Sequence, residues 1–186
     1  IKEFDGAVPI GLLRTVVPSA PDAWITALQR FGTMSFGDVA SASIRYARDG
    51  FSMHHVMRDY LVAHKDTYAK WSASADIYLP NGRPPNVGEN FVQTDLARSI
   101  QYMVDEETAA SSRGRNAGLK AARDAFYRGD LAHMMVDYHK ENGGWLSEED
   151  LAGFASAIEP PVRTNFMGTD IYPCGAWCQG PVLQQM

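Results

Sequence analysis

Between residues 22 and 151 apolar side chains recur at the three- and four-residue spacing of a helix face. Strand-like signals are confined to residues 12–17 and 162–172. That distribution predicts a mainly α fold with a few short strands, with helix exceeding strand at least about twofold. The expected organisation is a single partial domain over 1–186. It has an irregular lead-in over 1–21, a helical body over 22–155, and strands plus the start of a helix over 156–186.

Within the body, Trp24, Ala27, Leu28 and Phe31 mark a helix opening near Asp22, with Gly32 as a left-handed stop. Ser35 is a candidate cap for a second helix over 37–49, ended by Gly50. A third pattern over 53–71 carries Met57, Tyr60, Leu61, His64 and Tyr68 on one stripe. Residues 72–90 lose the period, and the Asn81-Gly82 turn between prolines reads as a loop or short hairpin. Helix resumes near Thr94, whereas the charged, small and glycine-containing stretch 106–118 reads as an exposed insertion. Residues 119–128 and 130–140 read as helices broken at Gly129, and Ser147-Glu148-Glu149-Asp150 resembles a capping box. Two strands then turn at Met167-Gly168, and Pro181 starts a last helix. Trp24, Phe31, Ile44, Leu61, Leu96, Ile100, Phe126 and Leu131 all lie on apolar stripes and are expected to be mostly buried.

The chemistry-bearing residues are few. With 17 Lys plus Arg against 22 Asp plus Glu, the net charge of −5 argues against a nucleic-acid or anionic-membrane surface. No apolar run approaches the roughly 20 residues of a membrane helix, so no membrane span is expected. His54 and His55 point to different helix faces, and His133 and His139, six apart, also diverge. The i, i+4 pairs His55 with Asp59 and His133 with Asp137 read as surface pairing rather than a metal site. Arg113 and Arg115 flanking Gly114 read as a solvated loop before an anion site. Cys174 and Cys178 lack the two-residue gap of zinc ribbons and thioredoxins, and two free thiols are preferred over a disulfide or a metal pair. No Gly-x-Ser-x-Gly, P-loop or dinucleotide fingerprint occurs. No catalytic, substrate-binding or metal-ligating residue is therefore assigned, and no cofactor is expected.

Several strings taken in order resemble the large subunit of the gamma-glutamyltransferase family. They run from Val17-Pro18 and Trp24 through Arg30-Phe31-Gly32-Thr33-Met34 and Ala47-Arg48-Asp49-Gly50-Phe51. Leu79-Pro80-Asn81-Gly82-Arg83-Pro84 with Gly88-Glu89, and Gln93-Thr94-Asp95-Leu96-Ala97, continue the match. Ala125-Phe126-Tyr127-Arg128-Gly129 with Leu131-Ala132 is the most diagnostic string. Gly143-Gly144-Trp145-Leu146-Ser147-Glu148-Glu149-Asp150-Leu151-Ala152, Glu159-Pro160-Pro161 and Gln179-Gly180-Pro181-Val182-Leu183-Gln184 complete it.

The resemblance implies part of an α/β/β/α N-terminal-nucleophile sandwich. It also implies a precursor that cuts itself before a threonine, whose hydroxyl then attacks a gamma-glutamyl amide such as that of glutathione. In the family that threonine opens the small subunit, downstream of the matched strings, and the arginine that binds the substrate's α-carboxylate lies upstream. The chain opens at Ile1 and closes on a helix barely begun, so the expectation is a fragment whose partners are the remainder of the parent, including the small subunit. On this reading the chain alone is inactive and its late strands favour self-association. The alternative is a non-catalytic helical interaction module of a related protein. Periplasmic or secreted members are common in the family, but no compartment is assigned here. Two departures from the family pattern stand out: the length of 108–118, and Pro173-Cys174-Gly175-Ala176-Trp177-Cys178 in place of prolines, serines and glycines.

Overall fold

The computed structural model describes residues 6–186. They form two compact units, one reaching to Phe154 and the other Ala155–Met186. In the first, α1 (Ala20–Phe31) and α2 (Phe36–Asp49) lead to β1 (Phe51–Ser52). Three short helices follow, α3 (His55–Ala63), α4 (Lys65–Tyr68) and α5 (Ser72–Tyr78). After β2 (Asn90–Phe91) come α6 (Thr94–Ala110), α7 (Arg115–Tyr127), α8 (Asp130–Glu141) and α9 (Glu148–Gly153). The second unit holds β3 (Thr164–Phe166), β4 (Thr169–Ile171) and α10 (Gly180–Gln185). Helix outweighs strand several-fold among the described residues, as the periodicity predicts. No helix of the described residues is long and apolar enough to cross a membrane.

The core of the first unit is built on α6, which packs against both α2 and α7. Ile25, Phe36, Ile44, Met103 and Leu119 fill it, and Ala122 and Ala125 keep the helices close. Gly118 permits a close approach of α7 to α6: a Cβ there would stand 3.1 Å from Glu107 Cγ and 3.2 Å from the Glu107 carbonyl. The stretch 106–118, expected as an exposed insertion, is therefore a structural joint. It finishes α6, makes a 3-10 turn over Ser111–Arg113 and opens α7, with Glu107 and Gly118 buried.

The expected third helix over 53–71 is also corrected. His64 leaves helical geometry (φ −114°, ψ 16°) and Trp71 is extended (φ −122°, ψ 122°), so the pattern breaks into α3, α4 and α5. Part of the expected stripe survives, because Met57 and Leu61 of α3 and Tyr68 of α4 pack with Met53, Phe91 and Tyr78 of α5, while Tyr60 and His64 are exposed. The helix α5 occupies residues expected to be loop or hairpin. Residues 12–17 hold a 3-10 turn (Leu12–Arg14) rather than a strand. Gly32 is extended (φ −95°) instead of left-handed. It is favoured by space, since a Cβ would stand 2.9 Å from the Leu28 backbone carbonyl oxygen.

Phe51 pairs with Phe91 in the antiparallel β1–β2 ladder, their rings 5.7 Å apart edge to face. Between α5 and β2 the proline-rich loop is held by one carboxylate. Glu89 accepts two hydrogen bonds from Arg83 (2.8 and 2.9 Å), one from the Asn86 amide (2.7 Å) and one from Asn86 Nδ2 (3.1 Å). The Arg83 hydrogen bonds first, and the Asn86 amide second, lower the Glu89 carboxyl from 4.5 to about 2. A group with a depressed folded pKa contributes fully above its unfolded pKa, and the contribution is lost as pH falls through the folded value. The protection factors of the Asn86 and Gly88 amides, taken against the intrinsic exchange rate at each pH, are accordingly expected to fall between about pH 4.5 and pH 2, while Ala122 and Ala125 stay protected. Glu89→Gln should exchange rapidly across the whole range.

In the second unit Thr164 pairs with Ile171 and Phe166 with Thr169. The two residues between the strands are both left-handed, Met167 at φ 50° and Gly168 at φ 84°. That is the twist a two-residue hairpin needs.

Candidate functional site

The sequence-flagged residues do not converge. His54 caps α3, its Nδ1 accepting from the Met57 amide at 3.3 Å, and His55 and His133 are exposed. Asp59 pairs with Arg58 at 3.1 Å and Asp137 with Lys140 at 3.7 Å, so neither i, i+4 pair forms the bond its spacing suggests. His139, expected only to diverge from His133, is buried; its Nδ1 accepts from the Leu146 amide at 3.4 Å and shapes the turn after α8. Among the described residues no group of three His, Cys, Asp or Glu could hold a metal ion.

Arg113 is exposed, but Arg115 is not a solvated loop residue. Its guanidinium donates to the Leu28 carbonyl at 2.6 Å and the Met34 carbonyl at 2.9 Å, tying the start of α7 to the end of α1. Cys174 and Cys178, expected as free thiols, form a disulfide across a Cα separation of 6.5 Å. The turn that brings them together is closed by the Cys178 amide donating to the Gly175 carbonyl at 3.2 Å.

Two buried polar networks, unassigned from sequence, set the positions of α1 and α2. In the first, the Tyr127 hydroxyl donates to the Pro18 carbonyl at 2.5 Å and accepts from the Asp22 amide at 3.1 Å, capping the start of α1. The Arg123 guanidinium binds Asp22 Oδ1 and the Phe154 carbonyl, and lies 4.9 Å above the Tyr127 ring. Burial is the main influence on the Tyr127 phenol and pushes its pKa up, so it stays protonated as the donor to Pro18. In the second, Glu107 Oε1 and Oε2 accept from the Phe36 and Gly37 amides, each at 2.7 Å. Ser35 Oγ accepts from the Asp38 amide and Asp38 Oδ2 from the Ser35 amide. Three side chains thus satisfy all four amides of residues 35–38 at the start of α2. Both networks are internally satisfied and hold no nucleophile beside a base; their chemistry is positioning.

The helices so placed leave an apolar groove of about 510 Å³, lined by Trp24, Leu28, Val39, Leu96, Ile100 and Phe126 among others. It accounts for two of the three departures from the expected core, Trp24 and Leu96, and not for Phe31, which lies outside its lining. Ile44, Leu61 and Leu131 are buried, and Ile100 and Phe126 are half-buried, but Trp24, Phe31 and Leu96 are exposed. The apolar stripe of α1 is wider than its contact: Ile25 faces the core while Trp24 opens onto the groove. Such a surface can receive apolar groups, and the hydroxyls of Ser43 and Ser99 in its lining have no acid or base side chain beside them in that lining.

A profile of the family described as gamma-glutamyltranspeptidase matches residues 2–186. Acylase ACY 1 proenzyme from Pseudomonas sp. (strain SE83) is 28% identical over 162 residues, 87% of this chain and 26% of that protein. The glutathione hydrolase-like YwrD proenzyme of Bacillus subtilis (strain 168) is 27% identical over 164 residues, 88% of this chain and 28% of that protein. Among solved structures, the Bacillus anthracis transpeptidase enzyme CapD superposes with a TM-score of 0.72 at 27% identity, covering 91% of this chain and 52% of that one. The chain spans about a quarter of the length of these curated relatives.

Proposed function

Since the chain belongs to the gamma-glutamyltranspeptidase family, we propose that it forms the helical part of the large subunit of an enzyme that cleaves or transfers gamma-glutamyl groups of glutathione-like amides. The observation that carries this reading is the family match across residues 2–186, supported by the shared helical fold. In the proposed reaction a threonine hydroxyl outside this chain attacks the amide carbonyl, and its own free amine takes the proton. The amine leaving group departs as the acyl-enzyme forms, and water or an acceptor amine then takes the glutamyl group. The role of this chain is architectural: the Tyr127 and Glu107 networks fix α1 and α2, and the α1–α2–α6 groove is a surface on which the rest of the enzyme packs. The intact enzyme is taken to be the four-layer sandwich of its family.

The test is a comparison of two proteins. The chain alone is expected to release no chromophore from a gamma-glutamyl anilide above the level of a mock preparation. A longer protein carrying the nucleophile threonine is expected to cut itself into two chains and turn the substrate over. Substituting that threonine with alanine should abolish both. Turnover by the chain alone would overturn the assignment of the nucleophile to another segment. A longer protein that self-cleaves but ignores gamma-glutamyl amides would overturn the substrate class.

A further inference from the structure

We propose that the Cys174–Cys178 disulfide is an exchange site for low-molecular-weight thiols, opened by attack at Cys174 with Cys178 as the leaving group. The two sulfurs are not equivalent. Cys174 is exposed, whereas Cys178 is half-buried and its Sγ accepts a hydrogen bond from the Gly180 amide at 3.4 Å. An N–H aimed at sulfur favours its thiolate, and the better-stabilised thiolate leaves faster. Gly180 can hold that position because it has no side chain: a Cβ there would lie 2.2 Å from the Cys174 carbonyl.

The ring itself offers little resistance to opening. The two cysteines are four positions apart, and closing so short a loop removes little entropy from the unfolded chain. Exposed disulfides are the ones that exchange. Reclosure is equally accessible without the disulfide: the Cys178–Gly175 turn and the bond from Trp177 Nε1 to Glu159 Oε2 at 2.8 Å hold the ring, and the Val162 amide donating to the Pro173 carbonyl at 3.1 Å holds the chain just before Cys174.

The step balances with the thiol as co-reactant. A thiolate RS⁻ forms an RS–Sγ bond with Cys174 as the Cys174–Cys178 bond breaks. The electron pair passes to Cys178 Sγ, which takes a proton from water. A second thiolate attacks the RS sulfur, giving RSSR and the Cys174 thiolate, so two thiols are oxidised and one protein disulfide is reduced.

The experiment treats the full chain with millimolar glutathione at neutral pH, quenches early with iodoacetamide, and maps peptides by mass. The expected product carries glutathione on Cys174 and alkylation on Cys178, in about tenfold excess over the reverse pattern. Tryptophan emission should change in step with opening and return on adding oxidised glutathione, and Trp177→Phe should lose that change while still forming the adduct. The Cys174→Ser/Cys178→Ser variant should take up no glutathione and keep its helical circular dichroism. A disulfide that glutathione reduces only after denaturant is added would overturn the proposal. Equal adducts on both cysteines would overturn the assignment of Cys178 as the leaving group.

Discussion

Replacing Asp22 with alanine is expected to destabilise the chain by about 3–5 kcal/mol, the range for breaking a buried ion pair from one side. Asp22 lies in the first turn of α1 with its side chain 3% exposed, and its partner Arg123 on α7 is 18% exposed. Once the carboxylate is gone, the guanidinium retains the Phe154 carbonyl and a longer contact to Asp124 at 3.6 Å, which compensates little of the buried charge. The first turn of α1 also loses a negative charge, a smaller effect of about 0.3–1 kcal/mol. Urea denaturation of the variant should show a lower midpoint at an unchanged slope. The discriminating control is Asp22→Leu combined with Arg123→Met. Removing both charges leaves no unpaired ion, so the double variant should recover most of the loss. A double variant no better than Asp22→Ala would mean that packing around Tyr127, not the charge pair, carries the stability.

How far this arrangement could be read beforehand depends on what each signal measures. Local signals transferred well: Ser35 and Ser147 both cap as expected, each forming a full capping box with the acid three residues on, because capping needs only four consecutive residues. The Gly129 break and the Met167-Gly168 turn are equally local. Two local readings fail, the left-handed Gly32 stop and the strand over 12–17, but the larger misses are decided across the fold. Residues 106–118 look like surface because periodicity counts apolar side chains, and Glu107 is charged. Yet Glu107 stands four residues after Met103 and three before Ala110, on the buried face of α6, and that register was the available clue. Trp24, Phe31 and Leu96 look like core for the converse reason: a stripe records that a face is apolar, not that this chain covers it. Arg123 lies one turn before Tyr127, but nothing local announces that both reach α1 a hundred residues upstream. The disulfide was missed because no spacing rule describes a three-residue gap; its geometry follows from the turn at Gly175 and Cys178. The family resemblance succeeded where these readings failed, because ordered strings such as Ala125-Phe126-Tyr127-Arg128-Gly129 carry tertiary constraints that periodicity does not.

Glu107→Ala is expected to cost about 3 kcal/mol. Glu107 is 6% exposed and its carboxylate is consumed by two amides, Phe36 and Gly37, the first two residues of α2. Ser35 and Asp38 satisfy each other and have no capacity to spare for these donors. Truncation therefore orphans two N–H groups beside the core, at about 1–3 kcal/mol each, with water reaching the half-buried Gly37 more easily than Phe36. Glu107→Gln separates hydrogen bonding from shape. Its carbonyl oxygen can still accept from one amide, but its NH₂ then faces the other donor, so the loss should fall between wild type and alanine. Amide exchange at Phe36 and Gly37 should accelerate in both variants, more in the alanine variant, while the Ser35–Asp38 box remains protected. If Glu107→Ala proves neutral, α2 does not depend on α6 for its start, and the link between the capped helix and the groove beside it is absent. A selective loss at these two amides would instead place Glu107 as the residue that registers α2 against α6, and so sets the width of the groove that the proposed enzyme covers.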